Sequence, residues 1–380
     1  MNLPRFTHLA AACAAFAGLC AAPAAFAQEV IKIGLSSPLS GGQSANGQDN
    51  LAGARLAADE INAKKPSVAG KAVRFEIVAE DDQADPRQGV AAAQKMTDSG
   101  IKFVVGPYNS GVTMPASRVY DQAGTVVTTV SSNPKITEQG FKRLFRVGAA
   151  DTALGVKMAQ YAAKELKLKR VAVIDDRSAY GQGLAQEFAK AAKAAGMEVV
   201  KTEYTNDKAT DFTAVLTSIK SASPEAIFFG GYSAQGGPLA RQMKQLGIQA
   251  KLLGGDGICS SETAKLAGGD TVGENTWCTQ GGTMLSRANE GQAFIKAYQA
   301  AYKRDPLTYG VVFYDAVQLI ADAIQKSGST DPAKVAEQMQ KGSYKGAATT
   351  YEFDDKRDLK SSPVTVFNFK NGQPVAITSY

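Results

Sequence analysis

KFVVGPYNSG, Lys102 to Gly111, is an apolar run that stops at Gly-Pro and then offers Tyr, Asn and Ser in quick succession. The run has the β-branched content of a buried strand, and the small polar residues after it suit a turn entering a helix. Far along the chain the outline recurs: IFFGGYSAQGG, Ile227 to Gly237, is again an apolar strand, a glycine, a tyrosine and a polar turn before a helix. Around both units, short β-branched runs alternate with alanine-rich helical segments, which is the pattern of βαβ units on a parallel sheet. The other runs are IKIGL (31–35), VRFEIVAE (73–80), TVVTTV (125–130), VAVID (171–175), EVVKTEY (198–204) and AKLLGG (250–255). Several are apolar throughout, as expected when both faces of a sheet are covered. The expected fold is α/β, with two doubly wound parallel sheets in two lobes that face one another. After Cys278 the pattern changes to helices over about 290–302 and 308–326 and a short one from 331 to 341. The strand-like pieces TTYEFD (349–354) and VTVFNF (364–369) follow, with Asn371-Gly372 as a turn.

The first residues read as a secretory leader. Arg5 precedes an apolar run from Leu9 to Ala25, and AFA at 25–27 places small residues before a cut after Ala27. A membrane anchor is disfavoured, because Pro23 interrupts a run shorter than the roughly 20 residues a bilayer needs. A lipoprotein cut at Cys13 or Cys20 is disfavoured too, since Leu19 stands where a small residue is required and Cys13 leaves too short an apolar run. Export is the expectation. The remaining residues, 28–380, are enough for two lobes, and no linker rich in Pro, Gly or Ser divides them, as when lobes share several crossing segments.

Composition narrows the chemistry. The formal charge of the whole chain is +6, spread along it. The basic run KELKLKR, 164–170, alternates with leucine and reads as a solvated helix face, so nucleic acid is not an expected partner. The only histidine is His8, inside the leader, which removes Ser-His-Asp and Cys-His nucleophiles and most imidazole-based metal sites. An enzyme is disfavoured, and neither cofactor nor metal is expected. Cys259 and Cys278, the two cysteines beyond the leader, are most simply a disulfide in an oxidising compartment.

In open α/β sheets ligands sit beyond the carboxyl ends of the strands. The turns at those ends repeatedly offer Ser or Asn at a helix entrance, where free N–H groups and the helix dipole favour an anion. Singly, each such residue is an ordinary cap. SGGQSANGQ (40–48) and GQG (181–183) match neither a phosphate-binding loop nor a complete dinucleotide fingerprint. The acidic cluster Glu80, Asp81, Asp82 and Asp85 lacks calcium-loop spacing and reads as structural. Asp256, in GGDG (254–257), is different: glycines on both sides bring the backbone close while one carboxylate leaves a strand end. A lone carboxylate facing anion-binding turns suits a zwitterion, and an α-amino acid is the commonest one.

These residues resemble the periplasmic substrate-binding proteins of branched-chain amino acid ABC transporters, the Leu/Ile/Val-binding type with a type I periplasmic-binding fold. The resemblance is carried by IKIGLSSPLSGGQSANGQDNLAGARLAADEIN, DDQADPRQGVAAAQKM, GPYNSGVTMPAS, DDRSAYGQGLAQEF and IFFGGYSAQGGPLARQMKQLG, and covers essentially the whole chain after the leader. It implies two doubly wound parallel-sheet lobes joined by three crossings: 28–149 plus 280–356, and 150–279 plus 357–380. It further implies that the ligand carboxylate meets Ser110 and groups at Ser131, Ser132 and Asn133. Tyr180 and Tyr232 would close over the ligand from the opposite lobe, Asp256 would take its ammonium, and Tyr309 would border the side-chain pocket. Asp256 stands where the family often has Glu, Asn46 where an aromatic is common, and Tyr108 and Asn133 where smaller or apolar groups occur. The preference for aliphatic side chains is therefore open. The usual first-lobe disulfide lacks its partners, with Ala84 and Asn109 in those places, so Cys259–Cys278 would staple the second lobe instead. The expectation is a monomeric receptor for an α-amino acid, serving an inner-membrane ABC permease. The alternatives are the same fold binding an amide, urea or aromatic acid, and a hydrolase on an α/β scaffold.

Overall fold

The structure, a computed structural model, describes Met1 and residues 28–269 and 272–380; the leader expected over 1–27 lies, but for Met1, outside them. The first sheet is built from β1 (Glu29–Ser37), β2 (Ser67–Val68), β3 (Lys71–Asp81), β4 (Phe103–Val105), β5 (Val126–Thr129) and β6 (Leu144–Arg146), in the order β2-β3-β1-β4-β5-β6. All its pairings are parallel except β2 with β3. The second sheet contains β7 (Arg170–Asp175), β8 (Glu198–Tyr204), β9 (Ala226–Gly230), β10 (Lys251–Gly254) and β11 (Thr276–Gly281). After a two-stranded piece, β12 (Tyr344–Lys345) with β13 (Thr350–Tyr351), the chain adds β14 (Val364–Lys370) and β15 (Gln373–Ser379). The order is β15-β14-β11-β10-β9-β7-β8.

The apolar runs form the central strands because they can be buried on both faces: every residue of β4, β5 and β9 is buried. The βα grammar missed the C-terminal end, where β14 joins β11 antiparallel and β15 returns along it. Asn371 and Gly372 both have positive φ, 51° and 71°, which is what a tight hairpin turn matching strand twist demands. TTYEFD does not continue as a strand beyond Tyr351, whose hydroxyl instead donates to the buried Asp315 at 2.9 Å.

The chain passes between the lobes after β6, after β11 and before β14. Between the last two passages lie the helices Asn289–Tyr302, Gly310–Ser327 and Pro332–Lys341, and the second of these packs on the first-lobe helix Ser44–Ala63. Both sheets switch winding direction: β1 has β3 on one side and β4 on the other, and β7 has β8 and β9. The carboxyl ends at these switch points open a crevice. Among the described residues no helix is long and apolar enough to cross a membrane.

Cys259 and Cys278 form a disulfide with Cα atoms 5.4 Å apart and a sequence separation of 19. It ties the segment after β10 to β11. Replacing both (Cys259→Ala with Cys278→Ala) is expected to lower stability by about 3 kcal/mol, from the loop this bond closes in the unfolded chain. Urea unfolding of the two proteins measures it, and equal midpoints would contradict the expectation.

Candidate functional site

The helix Ser110–Gln122 starts directly after the turn that follows β4, so its first N–H groups, which lack partners within the helix, face the crevice. The turn before it is clamped from β5 and the residues that follow. Thr129 Oγ1 donates to the Pro107 carbonyl at 2.7 Å, and Ser131 Oγ donates to the Tyr108 carbonyl at 3.0 Å. Ser131 Oγ is also 2.6 Å from Thr113 Oγ1, and its N–H donates to Thr129 Oγ1 at 3.1 Å. Ser131 therefore organises from within a cradle of two halves, the turn 106–110 that enters this helix and the segment 131–133 after β5. Asn133 N–H donates to Ser110 Oγ at 3.4 Å, which joins the two halves.

Arg146, at the end of β6, holds the second half in place. Its guanidinium is buried and donates to the carbonyls of Ser131 at 2.8 Å and Asn133 at 2.9 Å and to Thr137 Oγ1 at 2.8 Å, and it pairs with Asp358.

The second lobe supplies Tyr180 from the first turn of the helix Ala179–Ala194, Tyr232 from the turn after β9, just before the helix Ser233–Gln245, and Asp256 after β10. Tyr180 Oη donates to Asp256 Oδ1 at 2.6 Å and accepts from the Gly257 N–H at 2.9 Å. The flanking glycines are required by this contact: a Cβ on Gly257 would lie 2.4 Å from the Gly231 carbonyl and 2.8 Å from the Tyr180 ring. Tyr309, from the other lobe, also donates to Asp256. Asp256 is fully buried, and burial raises its carboxyl above the ordinary range against the lowering effect of Tyr180 and Tyr309. Its partners are hydroxyl and amide donors, with no cation among them.

Tyr309 is positioned by Asp49, which the sequence did not single out. Asp49 accepts from the N–H groups of Gly310 at 2.7 Å and Leu307 at 3.0 Å and from Tyr298 Oη at 2.6 Å. A Cβ on Gly53 of the same helix would lie 1.9 Å from the Gly310 carbonyl, so the two helices touch backbone to backbone there.

Tyr108, Ser110, Ser131, Ser132, Tyr180, Tyr232, Asp256 and Tyr309 all line one small cavity of about 10 Å³, together with Val130 and Gly257. Two expected residues do not. Asn46 lies buried in the first turn of the helix Ser44–Ala63, and the Asn133 amide donates across to the Ala179 carbonyl of the other lobe at 2.7 Å. That bond, Tyr309 on Asp256, and Thr308 Oγ1 on the Cys259 carbonyl at 2.9 Å bridge the lobes. A larger cavity of about 390 Å³ lies beyond Thr308 and Cys259, between Met284, Leu285, Phe367 and Val375. Its one charged lining group is Asp305, so no cationic side chain lines it.

Asp151, at the start of the helix Asp151–Lys164, is another buried acid, and neither carboxyl oxygen has a well-formed hydrogen bond, with Ser132 its nearest donor. Burial, with the Asp256 charge adding to it, pushes its carboxyl up to about 8. A carboxyl raised in the folded state contributes stability below the ordinary value of about 4 that is lost as pH rises toward 8. Asp151→Asn is therefore expected to gain little at pH 4 and to exceed the parent in stability at pH 8. Urea midpoints across that range test it, and a difference constant with pH would refute it.

The chain matches the model of a family described as periplasmic binding protein over residues 30–374. It is 35% identical, over 90% of this chain and 91% of the relative, to a leucine-, isoleucine-, valine-, threonine- and alanine-binding protein of Pseudomonas aeruginosa. Among solved structures it is similar to a leucine-binding protein, LivK, of Thermotoga maritima, with TM-score 0.85, 28% identity and 92% and 98% of the two chains covered. The branched-chain amino acid transporter substrate-binding protein LivJ of Streptococcus pneumoniae, in complex with isoleucine, gives TM-score 0.83, 27% identity and coverage of 92% and 100%. The fold also extends to a Rhodopseudomonas palustris solute-binding protein in complex with 3,4-dihydroxybenzoic acid, at TM-score 0.81 and 21% identity, covering 92% and 97% of the two chains.

Proposed function

The chain belongs to the periplasmic binding protein family, and from that premise we propose that it is a receptor that closes on an α-amino acid and delivers it to an ABC permease of the inner membrane. The observation that carries this reading is one cavity with two unlike ends. At one end are Ser110 and the first turn of its helix, and at the other is Asp256, buried among hydroxyl and amide donors. The ligand carboxylate takes the helix end, through Ser110 and the cradle formed by Ser131, Ser132 and Asn133. Its ammonium takes Asp256, replacing the hydroxyls of Tyr180 and Tyr309 that donate to it. Tyr232 and Tyr108 cover the middle. Amino acid binding by the relatives, as their names state it, supports the same head group.

In this reading the leader is cleaved after Ala27 and the monomer works in the periplasm. The lobes are 28–149 with 280–356 and 150–279 with 357–380, so Asp256 and Tyr309 belong to opposite lobes and ligand capture is coupled to closure. Thermal unfolding after denaturation and refolding to strip carried-over ligand tests it. α-Amino acids are expected to raise the midpoint while matched amides and aromatic acids leave it unchanged. An equal rise with acids lacking the ammonium would overturn the reading.

A further inference from the structure

Four tyrosines meet in the cleft, and two of them do not serve the polar ends alone. The Tyr108 ring lies 5.9 Å from the Tyr232 ring and 5.4 Å from the Tyr309 ring, the latter edge to face, so rings from both lobes close on one another across the middle. The Tyr180 and Tyr232 rings are 4.8 Å apart. All four are buried, and the cavity between them, about 10 Å³, has room for about one water molecule.

We infer that Tyr108 and Tyr309 form a size filter, so that the amino acid this cleft holds carries a short side chain, such as hydrogen, methyl or hydroxymethyl, and a branched aliphatic chain is disfavoured. The inference rests on the proposed reading for the head group and adds the identity of the side chain.

Neither ring can withdraw by a shift of its backbone. Tyr108 follows Pro107, and the carbonyls of both residues are hydrogen-bonded by Ser131 and Thr129. Tyr309 precedes Gly310, whose N–H is held by Asp49 and whose carbonyl rests against Gly53. The Tyr309 hydroxyl reaches Asp256, so its ring lies across the cleft beside the ammonium anchor. Any α-amino acid, glycine included, displaces the two hydroxyls from Asp256 and parts the rings, a cost common to all of them. Each further carbon of a side chain must then swing a ring further about its own side-chain bonds, from a fixed backbone into packed neighbours, and inserting carbons into a packed site strains it.

Calorimetry on refolded protein tests this with paired short and long ligands in two head-group classes: alanine and leucine, and propanamide and 4-methylpentanamide. The expected result is alanine binding at least tenfold more tightly than leucine, with Tyr108→Ala reducing or reversing that ratio. Leucine binding as tightly as alanine to the parent protein would overturn the filter. The parent comparison decides the matter even where Tyr108→Ala fails to fold. Preference for amides over amino acids would overturn the head-group reading instead, and the ratio between the short and long amides would still support or overturn the filter.

Discussion

Asp256→Asn is expected to weaken α-amino acid binding by about 2 to 5 kcal/mol, roughly thirtyfold to several-thousandfold. The substitution keeps shape and one acceptor oxygen, so what it removes is charge. In the parent protein the carboxylate is fully buried and has only hydroxyl and amide donors around it, from Tyr180, Tyr309 and Gly257. An ammonium brought to a neutral amide at this position would lose its solvation and find no counter-charge, whereas beside Asp256 it relieves the burial that holds the acid above its ordinary range. Because that carboxyl is costly to ionise in the closed protein, the variant is expected to unfold at the same or a higher urea concentration than the parent. The loss would therefore be one of affinity and not of folding. Calorimetry showing unchanged affinity would remove Asp256 from the site.

Arg146→Ala is expected to cost about 3 to 5 kcal/mol of stability, the range for removing one member of a buried, hydrogen-bonded ion pair. The guanidinium is 1% exposed and its partner Asp358 only 26% exposed. Truncation leaves the Ser131 carbonyl without its donor at 2.8 Å, and the Asn133 carbonyl loses its bond at 2.9 Å and keeps only the Ile136 N–H at 3.1 Å. These carbonyls belong to the cradle opposite Asp256, so affinity is expected to fall together with the urea midpoint. A variant as stable as the parent would show that the loop holds itself, and unchanged affinity in a destabilised variant would separate the cradle from Arg146.

The strands and the turns after them were legible because burial on both faces writes an unbroken apolar run, and a helix entrance after it writes small polar residues. Ser110, Tyr180, Tyr232 and Asp256 all follow such strands, and all four line the cavity. The C-terminal hairpin was half legible: Asn371-Gly372 marked the turn, but nothing in β14 says that it pairs antiparallel with β11. Asp49 and Arg146 were not legible at all. Asp49 sits in a helix beside other polar residues, and Arg146 looks like any strand-end arginine. Their roles come from contacts with Gly310 and Asp358, each more than 200 residues away along the chain.

By itself, then, the sequence determined the α/β class and pointed to Ser110 and Asp256, which line one cavity, since each depends on local pattern or on one residue's charge. Only the tertiary structure decided how much room lies between them. Tyr108 and Tyr309 are apart in sequence and come from different elements, and their rings share one space only because Asp49 and the strand-end serines and threonines fix both backbones. Cavity volume is a small difference between large packed volumes, and no local run of residues encodes it.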